Sequence, residues 1–263
     1  MVELFFACSK IGAIFVPINV SFVGQDLTYL ISDADPELII IDEECIDSYE
    51  DIRSEIDVEI EITLSSKHDG YHDMETVYLS NEFDRCYGDL STPMSIIYTS
   101  GTTGLPKGVM LPQGSYLTVG SELTNRIIKP GEDDILHMTQ PFFHIFAQIV
   151  IMESLISSTP FALEKWFSKS KFWEQVNDKN ATIIHLAPSL AEILLEDSEE
   201  IDNHVRIAYG IGEELSEQFS EQFSCEVITL YGLTETGGLS LSGTIDDPCK
   251  NSIGRPLSYS EVE

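Results

Sequence analysis

Basic residues are scarce in this chain. Only 14 Lys and Arg stand against 45 Asp and Glu, a formal net charge of −31 over 263 residues. A field of that sign repels phosphate backbones and anionic lipid headgroups, so it argues against a nucleic-acid partner and against a membrane-surface role. Cysteine is sparse as well. Cys8, Cys45, Cys86, Cys225 and Cys249 are odd in number, far apart and without a CxxC pair. That excludes a disulfide framework and a thiolate zinc site, and predicts reduced thiols in a cytoplasmic protein. Long hydrophobic runs are missing too: none approaches the ~18 apolar residues of a membrane helix. The apolar opening, residues 1–10, lacks a basic n-region and carries Glu3 and Lys10 inside it, so it does not read as a signal peptide.

What is present suffices for a core. Hydrophobic residues make up 43% and aromatics 10%, which excludes a disordered acidic tail. The acidity is spread along the chain, the pattern of a surface solvated at high salt and of a halophilic cytoplasm.

Helical spacing covers 2–11, with Gly12 as its stop. Residues 14–18 are strand-like but broken by Pro17, as at a sheet edge. A short helix follows at 26–31, then a buried strand at 38–41. Residues 58–64 alternate with period two, predicting a half-exposed strand, and polar residues make 67–91 a long connection. The second half is more regular, with strands at 94–98, 135–139, 182–186, 205–208 and 226–230. Helices are expected at 115–125, 145–155, 171–180, 189–195 and 216–223. That alternation predicts an α/β fold with a mostly parallel sheet flanked by helices, in approximate sub-parts 1–92 and 93–263. The duplicated stretch 216–223 sets Phe219 and Phe223 on one helix face, which is core packing.

Two glycine-rich loops carry the chemistry. The first, Thr99-Ser100-Gly101-Thr102-Thr103-Gly104-Leu105-Pro106-Lys107-Gly108, directly follows a predicted strand. Its glycines allow close backbone approach, and its hydroxyls and lysine donate to phosphate oxygens. A surface turn would use the same glycines and hydroxyls, but it does not account for the lysine and proline. The Walker pattern GxxxxGK[ST] is absent, so a phosphate-binding loop is expected without a P-loop fold. The second loop, Tyr231-Gly232-Leu233-Thr234-Glu235-Thr236-Gly237-Gly238, also follows a strand, where open α/β sheets bind ligands. It offers one aromatic face, hydroxyls, and a carboxylate of the kind that holds Mg²⁺ beside substrate phosphates.

Together the loops resemble the adenylate-forming superfamily of acyl- and aryl-CoA synthetases, luciferases and peptide-synthetase adenylation domains. The first is similar to the TSGTTGxPKG signature and the second to YGxTE. Residues 7–19, Pro141-Phe142-Phe143-His144 and Ile253-Gly254-Arg255-Pro256 extend the likeness over nearly the whole chain. The resemblance implies an incomplete large N-terminal domain of that fold, parallel-sheet layers flanked by helices, without the C-terminal lid domain. It implies that Thr99, Ser100, Gly101, Thr102, Thr103, Gly104 and Lys107 grip the β- and γ-phosphates of ATP. Thr234 would contact the α-phosphate, Glu235 would hold Mg²⁺, and Tyr231 would pack on adenine, with Gly210, Gly212 and Gly232 also lining the nucleotide. His144 would border the pocket of a small-molecule carboxylic acid. The implied reaction makes acyl-AMP and then, with CoA, acyl-CoA. Residues 165–172 and 205–212 look most like the carnitine/crotonobetaine–CoA ligase branch, implying a small to medium acid.

The sequence departs from the family in three places. Gly212 runs into Glu213-Glu214-Leu215 where Ala-Pro is usual, which places two carboxylates near the nucleotide. The ribose aspartate, hinge and lid lysine lie outside these residues, and Met1 falls within what should be a helix of a longer domain. The expectation is a fragment. It is either one piece of a split enzyme completed by a separate lid-domain chain, or a non-catalytic nucleotide-binding remnant. An adenylation domain loading a carrier protein is a further alternative. His68 and His72 read as loop residues, Asp133-Asp134 and Glu199-Glu200 as solvated charges, and no GxSxG elbow occurs.

Overall fold

In the computed structural model, residues 1–64, 68–77, 85–100, 104–196, 201–248 and 252–261 are described. Helix α1 (Val2–Ile11) stops where Gly12 turns left-handed at φ 77°, a conformation that L side chains adopt only under strain. Its Phe5 ring is enclosed edge-on by Phe6, Phe15, Tyr116 and Phe142, so α1 packs into the larger core of the chain.

A small parallel sheet comes next. Helix α2 (Gly24–Ala34) leads into β1 (Leu38–Ile41), α3 (Ile46–Glu50), β2 (Ile60–Thr63), β3 (His72–Asp73) and α4 (Met74–Val77), with strand order β1-β2-β3. Ile31, Ile41, Ile46, Tyr49 and Ile52 form its separate core. Two expectations change here. Strand β1 is buried only at Ile41, because Leu38 at its start is 42% exposed, and His72 pairs with Ile62 as a strand residue instead of lying in a loop.

The hairpin of β4 (Pro93–Thr99) and β5 (Lys107–Pro112) follows. Strand β5 was not expected. Its Lys107-Gly108 start reads as loop, and the antiparallel pairing with β4 supplies what local pattern does not. Helix α5 (Gln113–Glu122) then continues as one π-helical turn to Ile127.

The main sheet is parallel, built from β6 (Leu136–Met138), β7 (Phe161–Leu163), β8 (Ile183–His185), β9 (Ile207–Tyr209) and β10 (Glu226–Ile228) in the order β10-β9-β8-β6-β7. Helices α6 (Ile145–Ser157), α7 (Phe172–Asp178), α8 (Pro188–Leu195) and α9 (Glu213–Phe223) alternate with the strands. Side chains of a strand point to alternate faces, and the two cores divide accordingly. Ile183, Ile207, Tyr209 and Ile228 join α5 and α6 on one side. Ile184, Ala208 and Val227 join α7, α8 and α9 on the other. Phe219 and Phe223 pack 4.6 Å apart in that second core, as their spacing predicts. A short antiparallel sheet of β11 (Leu230–Tyr231), β12 (Leu241–Ser242) and β13 (Arg255–Pro256) closes the chain.

Asp134 is not a solvated charge. It is 5% exposed and accepts hydrogen bonds from Thr182 Oγ1 at 2.6 Å, Gly131 N–H at 2.6 Å and Arg206 Nε at 2.7 Å. Thr182 and Arg206 directly precede β8 and β9, and Asp134 itself precedes β6, so one carboxylate ties three strands at their N-terminal ends. The Arg206 guanidinium and these donors outweigh burial and hold its pKa down at about 2. Glu199 and Glu200 lie outside the described residues.

Candidate functional site: two loops that meet at the carboxyl edge of the sheet

The hairpin carries the ends of the first loop. Thr99 closes β4 and Lys107 opens β5, and the two pair across the hairpin, so the lysine returns beside the hydroxyl. Ser100, Gly104 and Lys107 are exposed, while Gly101, Thr102 and Thr103 lie outside the described residues. Gly108 pairs with Tyr98 and is needed for space. A Cβ there would stand 2.7 Å from Ile96 Cγ2 and 3.3 Å from the Tyr98 ring.

The second loop is a tight turn. Thr234–Thr236 form a 3-10 turn closed by Thr236 Oγ1, which accepts from Leu233 N–H at 3.1 Å and donates to Leu233 O at 3.0 Å. A Cβ on Gly232 would fall 2.0 Å from Gly238 O, and one on Gly238 would fall 2.4 Å from Ile149 Cδ1. Both glycines let the loop fold onto itself and onto α6. Tyr231 presents its ring to solvent at 47% exposure. Thr99 Oγ1 donates to Glu235 Oε1 at 3.1 Å, joining residues 136 positions apart. The two motifs meet at this contact.

The second loop packs on the start of α6 at Ile145 and Ile149, and Phe146 of the same helix stacks on His185 at the carboxyl end of β8. Gly210, at φ 87°, leaves β9 so close to β8 that a Cβ would meet Leu186 O at 2.7 Å and His185 Nε2 at 2.8 Å. Gly212 caps α9. Here Glu213 and Glu214 form the first helical turn, where the positive end of the helix dipole favours carboxylates. Helix α9 therefore begins three residues before the expected 216, and the acidic pair is a helix start in place of the usual Ala-Pro. His144 is the N-cap of α6, its Nδ1 accepting from Phe146 N–H at 3.3 Å. A buried chain holds the turn before it. Ser95 Oγ donates to Tyr116 OH at 2.5 Å, Tyr116 OH to Gln148 Oε1 at 2.6 Å, and Gln148 Nε2 to Phe142 O at 3.0 Å.

His185 was missed by sequence reasoning. It ends β8, is 3% exposed, stacks on Phe146 at 4.7 Å, and burial pushes its pKa down to about 3. It is neutral. Its position at a parallel strand's carboxyl end was the available signal. Among the described residues, buried side-chain atoms without a hydrogen-bond partner include His185 Nδ1, Thr139 Oγ1 and Gln140 Oε1, all at the carboxyl ends of β6 and β8. Buried polar atoms are normally satisfied, so this edge suits a polar ligand. No group of three or more His, Cys, Asp or Glu suited to a metal occurs among the described residues. The oxygen donors at hand, the Glu235 carboxylate with the Thr99 hydroxyl beside it, fit a Mg²⁺ whose remaining ligands are water and phosphate oxygens.

The sequence profile of the AMP-binding enzyme family matches residues 1–263. The chain belongs to that family. Crotonobetaine/carnitine–CoA ligases of Salmonella enteritidis and Escherichia coli are 27% and 28% identical to it over 246 residues, or 88% of this chain and 47% of theirs. The chain thus spans about half the length of these relatives. Its fold matches an anthranilate–CoA ligase solved with anthranoyl-AMP (TM-score 0.87, 21% identity, 98% of this chain and 52% of that one). It also matches a long-chain-fatty-acid–CoA ligase of Archaeoglobus fulgidus (TM-score 0.86, 17% identity, 100% and 55%). The α/β architecture is therefore that of the larger, N-terminal part of acyl-CoA ligases. No helix among the described residues is long and apolar enough to cross a membrane.

Proposed function

We propose that this chain forms the nucleotide- and acid-binding part of an AMP-forming acid–CoA ligase. The observation that carries this reading is the 3.1 Å contact between Thr99 and Glu235, which draws both signature loops into one site. In the proposed complex, Lys107 neutralises the β- and γ-phosphates while Thr99, Ser100, Thr102 and Thr103 donate to their oxygens, with Gly101 and Gly104 admitting the backbone. Thr234 donates to the α-phosphate, Tyr231 packs on adenine, and Gly210, Gly212 and Gly232 line the nucleotide. Glu235 would hold Mg²⁺, which supplies positive charge to the phosphates. His144 borders the acid. The acid's carboxylate oxygen forms a bond to the α-phosphorus as pyrophosphate leaves, and the CoA sulfur then bonds to the acyl carbon as AMP leaves. Positioned donors and cations serve this phosphoryl chemistry better than a covalent nucleophile would.

The relatives support a small or medium acid of the carnitine/crotonobetaine kind. The proposed partner of this part in the reaction is a lid domain bearing the lysine that the family resemblance implies. The acid excess and the free thiols of Cys8, Cys45, Cys86 and Cys225 support a salty cytoplasm as the setting.

Calorimetry of ATP binding at high salt tests the site. Lys107→Ala should weaken ATP roughly tenfold or more, as loss of a charged hydrogen bond costs about 1.5–3 kcal/mol. An unchanged affinity rejects the role given to the loop. Carboxylate-dependent ATP–pyrophosphate exchange, with the lid supplied, tests the reaction itself.

A further inference from the structure

The hairpin that carries Thr99 and Lys107 is gripped from its other face by helix α2. Tyr29 OH donates to Pro106 O at 3.0 Å, and Tyr98 OH donates to Asp33 Oδ2 at 2.7 Å. Tyr29 and Asp33 are four residues apart, so they project from one face of α2. Their targets lie directly before Lys107 on one arm and directly before Thr99 on the other. Successive strand residues point to opposite faces. Holding Tyr98 against α2 therefore turns Thr99 to the face where it meets Glu235, and the paired Lys107 shares that face. Gly108 completes the arrangement by leaving room for the Tyr98 ring.

At its base the hairpin has other supports: Met94, Ile97 and Leu111 are in the core, and Ser95 bridges Phe15. Both α2 contacts lie at the loop end, and the Tyr98–Asp33 bond is exposed, so global stability depends little on them. Their placement suits aiming instead. We propose that Tyr29 and Asp33 of α2 are positioning residues that fix both arms of the phosphate loop, and thereby set the affinity for the β- and γ-phosphates. This rests on the nucleotide reading of the site.

Calorimetry on the full chain tests it with MgATP, inorganic pyrophosphate and AMP. Tyr29→Phe and Tyr98→Phe together should lower the affinity for ATP and pyrophosphate about tenfold, for two hydrogen bonds each worth about 0.5–1.5 kcal/mol. AMP affinity should stay unchanged, because AMP has no β- or γ-phosphate. Asp33→Ala should reproduce Tyr98→Phe and add nothing to it, since both remove one bond. Asp33→Asn should restore wild-type affinity, because the amide oxygen still accepts from Tyr98. Equal losses for ATP and AMP, or no loss for ATP in a folded double variant, would overturn the positioning role. Failure of the unaltered chain to bind either nucleotide would overturn the functional reading and this inference with it.

Discussion

Glu153 shows how strongly a single position departs from its chemical type. This carboxyl lies fully buried in α6, accepts from Tyr209 OH at 2.7 Å, and has one oxygen without a partner. Burial pushes its pKa up to about 8, so near neutrality it keeps its proton. In the unfolded chain the same group ionises near 4.5. Between those values the folded state binds more protons, so the stability this group contributes is lost as pH rises through the window. Glu153→Gln should flatten the fall in stability between pH 5 and 8 while keeping the Tyr209 bond. Urea unfolding of both proteins at pH 5.5 and 8.5 measures this, and parallel curves would show that Glu153 does not carry the slope. The residue-scale reading of the sequence placed Lys107 and Glu235 at exposed positions after strands, and both are exposed in the structure. It failed at Asp134 and said nothing of Glu153, because burial belongs to a place in space and not to a residue type.

Elements were legible wherever one periodicity runs unbroken. Helix α1 with its Gly12 stop and the Phe219/Phe223 face of α9 follow from spacing, whereas β2 does not keep the expected alternation: Ile60 is 37% exposed and Thr63 1%. Strand β5 was not legible, since its residues become a strand through pairing with β4. The seam between β6, β8 and β9 was hidden for a similar reason, because Asp134 and its partners Thr182 and Arg206 are distant in sequence. Asp134→Ala leaves Arg206 unpaired and removes three donors' acceptor. With Arg206 40% exposed, water recovers part of the loss. A destabilisation of about 2 kcal/mol is expected. The sign with pH is opposite to that of Glu153. The Asp134 pKa is depressed, so its contribution is present above the unfolded value of 3.8 and disappears as pH falls toward 2. Chemical denaturation at pH 7 and pH 3 should show the Asp134→Ala deficit shrinking in acid; a constant deficit would reject the ion pair as its source.

For the whole molecule the −31 charge is a statement about solvent more than about ligand. Self-repulsion of that size opposes compaction, and salt screens it. Thermal unfolding in KCl from 0.1 to 2 M should therefore give a rising midpoint, and a flat or falling one would contradict this account. ATP is itself an anion. The proposed site, with Lys107, backbone amides and Mg²⁺, would still attract it locally, so ATP affinity should be poorest at low salt and low magnesium.

The sequence by itself determined the two signature loops, the alternation of strands and helices, and the family to which the chain belongs. These are written in consecutive residues, where spacing and chemistry suffice. Tertiary structure alone decided that Thr99 touches Glu235, that α2 grips the hairpin behind them, and that Asp134 and Glu153 are buried. Each of these joins segments tens to more than a hundred residues apart. Strand order and crossovers bring such segments together, and no local periodicity records which ones will meet.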